Sequence, residues 1–271
     1  ATSAARRFSY SSPSLFGGQV LVVAARQRNE VRNQRRLDTT RRAGKVKLEA
    51  TAEYSNTLGQ EGKWVEERLH SFKSARELIR QIENAVALSD QHEQETITYL
   101  VSQVLSKWVI NGGVLPQEFT AGAERGYGRR ALHTDKLGRF GIICMTWSPG
   151  QETAIHDHDD MWCVECVYKG RVKISAFDCV PHAGDLFHLY PEQQSFGDVG
   201  NAGQLIPPKD VHKISNASED VAVTIHVYGG HMEKCQIFSP VDQGKEEGSL
   251  FKRESKSLYF TSDKPWSEMC G

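Results

Sequence analysis

The sequence lacks several features that would place it in large protein classes. Near its start no apolar run is longer than Val20–Ala25, which is far too short to span a bilayer. It contains no GxxxxGK loop for binding phosphates and no internal repeat. Its six cysteines in 271 residues do not make a small disulfide-rich scaffold, so we expect them to be mostly reduced. These absences exclude a P-loop nucleotide enzyme, a repeat array and a disulfide-stapled module.

A net charge is also nearly absent, but the value of −1 hides an uneven distribution. Residues 1–47 contain eleven Lys and Arg and only two acidic residues, whereas the remainder has a balance of −10. An acidic body argues against nucleic-acid binding, which needs a basic surface. It argues equally against docking on anionic membranes. We therefore expect neither partner.

The basic first 47 residues are rich in Arg, Ser, Thr and Ala. This composition is typical of an organelle transit peptide, with a disordered basic tail as the alternative. We expect a mitochondrial or plastid location, between which the composition does not decide, and the cytoplasm is the alternative.

Helical patterning occupies residues 60–111. Ser74-Ala-Arg-Glu77 has the spacing of a capping box and predicts a helix start. Thr96–Ile110 places its apolar residues on one broad face, and Asn111-Gly-Gly113 ends that helix. The sequence therefore predicts a helical segment at 48–112 that packs on the following domain.

Strand patterning begins at Arg139. Short β-branched and aromatic segments alternate with Gly, Pro, Asp and Asn, which indicates an antiparallel sandwich or barrel. The predicted strands are Phe140–Trp147, Trp162–Tyr168, Val172–Phe177, Val221–Tyr228 and Gln236–Phe238. We assign residues 113–245 to this core and residues 246–271 to a C-terminal extension that could add closing strands.

Three histidines have the spacing of metal ligands. His156 and His158 are two residues apart, so on a strand both point to the same face while Asp157 points away. His212 lies at the start of a later strand, and a barrel can bring distant strands together. Three neutral imidazoles on one side of a metal leave positions open for other ligands, and zinc is one candidate ion.

The same residues resemble a known motif. Gly150, the His156-x-His158 pair and Gly170 match the first cupin motif in spacing, and Pro207, His212 and Asn216 resemble the second. Cys163 stands where the first motif normally has a glutamate ligand. This replacement resembles the cysteine dioxygenase family.

The resemblance covers roughly residues 60–240. It includes Trp147-Ser-Pro-Gly150 before the histidine pair, Asp159–Cys163 after it, and Thr224-x-His226-x-Tyr228, in which Thr replaces the family's Ser. Cys235 also stands where the animal enzymes carry a cysteine. The resemblance implies a mainly β fold, a cupin antiparallel β-barrel of the jelly-roll type with an N-terminal helical segment.

The implied activity is that of a non-heme iron oxidoreductase with Fe(II) as cofactor. It would oxidise L-cysteine with dioxygen to cysteine sulfinic acid, with both oxygen atoms incorporated, as a step of cysteine catabolism. In the family, cysteine binds the iron through thiolate and amine. The alternatives are dioxygenation of 3-mercaptopropionate and a non-redox metal-binding cupin. The expected partners are a small-molecule thiol and dioxygen, and we expect a monomer.

The resemblance also implies roles for individual residues. Arg129 is expected to hold the substrate carboxylate, with Arg130 as the alternative. Tyr228 would lie near the bound thiol and dioxygen and could carry a thioether crosslink to Cys163. His226 would hydrogen-bond Tyr228, with Thr224 behind it.

Overall fold

The computed structural model describes residues 47–89, 93–123, 126–241 and 249–260, and only the backbone of residues 47–62. The predicted transit peptide of residues 1–47 lies outside the described residues, except for Lys47. Contacts divide the chain into two units, Ala1–Gly62 and Lys63–Gly271. Within the described part, no helix has both the length and the apolar character that crossing a membrane requires.

Two helices precede the strands, α1 at Lys47–Ala87 and α2 at Gln94–Ile110. The predicted helix start at Ser74 is wrong, because this residue lies inside α1. Its hydroxyl accepts a hydrogen bond from the backbone N–H of Val114 at 2.9 Å, and its carbonyl accepts one from Trp108 Nε1 at 3.2 Å. Ser74 therefore ties α1 to the end of α2 instead of capping a helix.

The end of α2 was predicted correctly. Gly113 donates its backbone N–H to the carbonyl of Trp108, and Gly112 donates to that of Val109. Gly112 has φ of +80°, a conformation that glycine adopts without steric cost. These bonds form a Schellman motif, which satisfies carbonyls that the helix itself leaves unpaired.

The strands form two antiparallel sheets. In the described residues the strands are β1 Gly128–Thr134, β2 Gly141–Trp147, β3 Ile155–His156, β4 Cys163–Lys169, β5 Val172–Ala183, β6 Leu186–Gly197, β7 Ala202–Leu205, β8 His212–Asn216, β9 Ala222–Tyr228, β10 Lys234–Pro240 and β11 Leu250–Ser257. One sheet has the order β1-β2-β9-β4-β7, and the other closes on itself in the order β10-β11-β6-β5-β8-β3. The prediction of a mainly β antiparallel barrel with an N-terminal helical segment is confirmed.

Both faces of the five-stranded sheet are buried. Ile142 and Ile225 belong to the cluster that contains the apolar faces of α1 and α2. Ile143 and Met145 belong to a second cluster on the other face, together with Cys163, Tyr228 and Cys235. Strands buried on both faces are apolar throughout instead of alternating, and all seven residues of β2 and of β9 are buried.

Residues of the C-terminal extension complete the second sheet. Strand β11 pairs with β10 on one side and with β6 on the other. Leu258 follows it and lines an interior cavity, and the Phe260 ring lies 5.0 Å from the guanidinium carbon of Arg129.

Candidate metal centre

The three predicted histidines converge. His156 on β3 pairs directly with His212 on β8, and their ring centroids are 4.6 Å apart. The His158 ring lies 5.4 Å from His156 and 5.1 Å from His212. One ring nitrogen from each residue lies within 4.8 Å of the other two. Strand β3 is shorter than the pattern predicted, since it ends at His156 and His158 lies in the turn that follows.

Each imidazole is oriented through Nδ1. Nδ1 of His158 lies 3.0 Å from Oδ2 of Asp210, and Nδ1 of His212 lies 3.0 Å from the Asp210 carbonyl oxygen. Nδ1 of His156 lies 3.1 Å from the Ala154 carbonyl oxygen. Because a carbonyl or carboxylate oxygen can only accept, Nδ1 of each ring carries the proton. In the neutral rings Nε2 then carries the lone pair, and Nε2 of His212 also lies 3.3 Å from Oε1 of Glu165.

These lone pairs fit a metal ion. Nε2 of His158 and Nε2 of His212 are buried, and neither makes a hydrogen bond to the described part of the chain. Burial lowers the pKa of His158, and burial with the neighbouring imidazoles lowers the pKa of His156 well below its usual value. Burial also acts to lower the pKa of His212, but the Glu165 carboxylate outweighs it and raises that pKa above its usual value. Neutral imidazole is the form that binds metals, so this set of donors suits a divalent transition ion with open positions.

Asp210 is a functional residue that the sequence analysis missed. It is 4% exposed, and its Oδ2 also accepts the backbone N–H of His158 at 3.0 Å. One carboxylate thus fixes both the ring and the backbone of a candidate ligand. The feature of the sequence that could have indicated this role is the position of Asp210 two residues before His212.

Glu165 was missed as well. It is 7% exposed and lies directly opposite His226 in the pairing of β4 with β9. Its Oε1 is 3.1 Å from Nδ1 of His226 and 3.3 Å from Nε2 of His212. Residues two apart on a strand share a face, so Glu165 could have been predicted to point inward with Cys163.

The predicted relay through His226 has different contacts. Nε2 of His226 lies 2.7 Å from Oγ1 of Thr224, which also accepts a hydrogen bond from Trp147 Nε1 at 2.9 Å. The ring of His226 is nearly parallel to that of Tyr228, with centroids 6.0 Å apart. The two nitrogens of His226 therefore face Thr224 and Glu165, and the expected hydrogen bond to Tyr228 is replaced by ring stacking.

Cys163 and Tyr228 are brought together by strand register. They lie opposite each other on β4 and β9, and both side chains are buried. Burial raises the pKa of both groups well above their usual values. Both side chains are therefore held protonated beside His158.

The two candidate arginines point to opposite faces of β1. Arg129 is 5% exposed and lines the cavity that His156, Tyr228 and Cys235 also line. Arg130 instead donates to Oγ1 of Thr146 at 3.1 Å. The structure thus brings Arg129, and not Arg130, toward the histidines.

Comparisons with known proteins agree with this site. Residues 116–241 match the sequence model of the family described as cysteine dioxygenase type I. Cysteine dioxygenase type 1 of Danio rerio is 26% identical over 110 residues, which are 40% of this chain and 54% of that protein. The Rattus norvegicus protein of the same name is 22% identical over 111 residues, 37% of this chain and 50% of that protein. The chain spans about half the length of the curated relatives it matches.

A solved structure from Klebsiella pneumoniae, described as having a double-stranded β-helix domain, is 15% identical. It covers 43% of this chain and 88% of that chain, with a TM-score of 0.33. The fold assignment rests on the strand order given above. That barrel and its three converging imidazoles define a cupin with a candidate metal centre. Within the cupins, residues 116–241 of this chain are similar to the cysteine dioxygenase family.

Proposed function

We propose that this chain is an iron-dependent thiol dioxygenase that converts L-cysteine and dioxygen to cysteine sulfinic acid. The observation that carries the proposal is the convergence of three imidazoles, of which His156 lines the same cavity as Arg129. In the balanced reaction one thiol and one dioxygen give one sulfinic acid, so sulfur loses four electrons and dioxygen gains them.

His156, His158 and His212 would hold the metal. Ferrous iron supplies a centre at which a thiolate and dioxygen react side by side. The protein contributes orientation, because the acceptors at Nδ1 prevent the rings from turning away. The uncharged imidazoles leave the positive charge of the ion intact, which favours binding of a thiolate.

Arg129 would bind the substrate carboxylate. A guanidinium can hold a carboxylate with two parallel hydrogen bonds, and these are stronger where water is excluded. The 5% exposure of Arg129 meets that condition. This contact would recognise cysteine and 3-mercaptopropionate alike, because both carry a carboxylate and a thiol.

Tyr228 would act as a hydrogen-bond donor beside the reacting sulfur. Burial keeps the pKa of its hydroxyl well above the usual value, so the proton stays on the oxygen at neutral pH. Cys163 lies opposite Tyr228 in the pairing of β4 with β9, which supports a thioether crosslink between them, formed as dioxygen takes up one hydrogen atom from the thiol and one from the ring. Thr224 and His226 support this wall of the cavity through their mutual hydrogen bond.

The activity can be tested on the purified full chain. After anaerobic loading with ferrous iron, cysteine and oxygen are added, and oxygen uptake and sulfinate are measured together. We expect one sulfinate per dioxygen, and none from His158→Ala. The matched control is His182→Ala, since that histidine is exposed on β5. Uptake with 3-mercaptopropionate alone would favour the alternative substrate. Metal binding without any uptake would indicate a non-redox cupin.

Substitution of the two arginines tests carboxylate binding. Arg129→Lys should raise KM for cysteine by about 10- to 100-fold, the equivalent of about 1.5–3 kcal/mol for a charged hydrogen-bonded pair. Arg130→Lys is the matched control, because that residue faces the other side of β1. A larger effect from Arg130→Lys would contradict the assignment.

A further inference from the structure

We infer that Phe260 is a positioning residue for substrate recognition, whose ring covers the Arg129 guanidinium and holds it in place for the carboxylate of a small thiol. The assignment rests on the proposed role of Arg129 as the residue that binds this carboxylate. It gives a function to a residue beyond β11, which ends at Ser257. Thiols that lack a carboxylate should not depend on this ring.

The short segment after β11 turns one face toward the substrate cavity. Leu258 lines the same cavity as Arg129, and Leu258 and Phe260 both pack against the buried cluster on that side of the first sheet. Tyr259 between them is 83% exposed. This alternation is that of extended backbone, in which residues two apart share a face. Phe260 therefore faces the barrel together with Leu258, while Tyr259 faces solvent.

Two contacts fix the position of this segment. The backbone N–H of Leu258 donates to the carbonyl of Glu233 at 2.7 Å, which continues the pairing of β11 with β10. The Phe260 ring also stacks with the ring of His231, with an angle of 21° between the planes and 6.4 Å between the centroids. The ring that covers Arg129 is therefore held by its own backbone and by a second side chain.

The contact between Phe260 and Arg129 has the geometry of a cation–π interaction. The guanidinium carbon lies over the ring at 5.0 Å from its centroid, inside the distance of about 6 Å at which the attraction is significant. The attraction is stronger where water is excluded, and Arg129 is only 5% exposed. A guanidinium can rest on an aromatic ring and still donate to a carboxylate, because its N–H groups point along its own plane.

A fixed guanidinium binds a carboxylate more tightly than a mobile one. An arginine side chain has several rotatable bonds and loses their freedom when its guanidinium is held in one place. Because Phe260 imposes this loss before the substrate arrives, the substrate does not have to impose it on binding. Loss of the ring should therefore weaken the binding of thiols that carry a carboxylate and leave other thiols unaffected.

Thiol binding in the absence of dioxygen tests the assignment without relying on catalysis. The full chain is loaded anaerobically with Co(II) and titrated with 3-mercaptopropionate or with cysteamine, a thiol without a carboxylate, and the absorption of the Co(II) thiolate is recorded. We expect Phe260→Leu to raise Kd for 3-mercaptopropionate by about 10-fold and to leave Kd for cysteamine within about two-fold of the parent.

Two further variants provide the rescue and the matched control. Phe260→Trp keeps an aromatic ring over the guanidinium, so its Kd for 3-mercaptopropionate should stay near that of the parent. Tyr259→Leu removes the neighbouring ring, which faces solvent, and should change neither Kd. A purely structural role for Phe260 would affect both thiols alike.

The reaction of arginine with phenylglyoxal measures the covering of Arg129 without metal or thiol. Peptide mass mapping compares its rate with that of Arg171, whose side chain is 51% exposed. In the parent, Arg129 should react far more slowly than Arg171. Phe260→Ala should accelerate the reaction of Arg129, whereas Tyr259→Ala should not.

The outcomes separate this inference from the proposed function. A Kd of Phe260→Leu for 3-mercaptopropionate within about three-fold of the parent, or an equal loss for cysteamine, would overturn the positioning role. Unchanged reactivity of Arg129 in Phe260→Ala would overturn the covering by the ring. A parent that binds both thiols but oxidises neither when loaded with Fe(II) would refute the proposed function, and the difference between the two thiols would still support the role of Phe260.

Discussion

Replacing Asp210 tests how far metal binding depends on the orientation of the ligands. Asp210 Oδ2 accepts hydrogen bonds from both the backbone N–H and Nδ1 of His158, each at 3.0 Å. His158 is completely buried, so neither donor can turn to water in a variant without the carboxylate. Each unsatisfied buried donor costs about 1–3 kcal/mol. We therefore expect Asp210→Ala to be destabilised by roughly 2–6 kcal/mol before any metal is added.

The effect on the metal follows from the same contacts. Loss of the group behind a histidine ligand typically lowers metal affinity by about 10- to 100-fold. Asp210→Ala should reach the upper end of that range, because it frees both the ring and the backbone of His158. Asp210→Asn keeps an acceptor oxygen but loses the charge, so about 10-fold is expected for it.

Anaerobic Co(II) titration calorimetry and thermal unfolding measure these two effects separately. Asp157→Ala is the matched control, since the Asp157 carboxylate accepts two backbone N–H groups but no imidazole. If Asp210→Ala folds and binds Co(II) within about three-fold of the parent, the orienting role assigned to this carboxylate is refuted.

Three further predictions concern the acid stability, the packing and the crosslink. A hydrogen bond from Arg139 holds the pKa of Asp135 at about 2 against an ordinary 3.8. Because the folded pKa is the lower one, this pair stabilises the protein fully above about pH 4 and loses its effect as the pH falls toward 2. In urea unfolding, Asp135→Asn should cost roughly 1–2 kcal/mol at neutral pH and much less near pH 2. In Gly113→Ala, the added Cβ would lie 2.2 Å from the Trp108 ring, so a loss of about 1–3 kcal/mol is expected in thermal unfolding. Cys163→Ser should abolish a crosslinked species that, in the parent, is lighter by two hydrogen atoms in intact-mass spectrometry.

Each of these three has a control. Asp198→Asn breaks an exposed ion pair with Arg171 and should have little effect at any pH. Gly203→Ala adds a methyl group into open space and should leave the stability unchanged. Cys235→Ser should retain the crosslink. If Gly113→Ala and Gly203→Ala lost equal stability, the predicted clash with Trp108 would be contradicted. An effect of Asp135→Asn that does not change with pH would contradict the role given to its ion pair. A crosslinked species in Cys163→Ser would contradict the assignment of the crosslink.

The parts of the fold that could be predicted from sequence are those in which burial alone determines the pattern. Strands β2, β4 and β9 were predicted because a strand buried on both faces is a continuous apolar and β-branched run. The end of α2 was predicted because glycine is the residue that this turn requires. The long hairpin of β5 and β6 was missed beyond Phe177, since its exposed half contains Pro181, Pro191 and many polar residues.

The part of the site that could be predicted from sequence is the set of residues whose spacing is typical of metal ligands. The histidine pair and His212 have a recognisable pattern, whereas Glu165 and Asp210 acquire their roles only through strand pairing and turn geometry. The choice between Arg129 and Arg130 also could not be made from sequence. The alternation of side chains along a strand predicts that one of them faces the interior, but only the pairing of Arg129 with Met145 identifies it as Arg129.

Strand β11 closes the second sheet, so the residues after 245 belong to the barrel itself. A version cut after residue 245 would keep every histidine, the tyrosine and both arginines, yet it would separate β10 from β6 and leave two strand edges without partners. Unpaired edges recruit other chains and aggregate. Poor solubility of such a truncated protein would then reflect an opened barrel, and it would say nothing about catalysis.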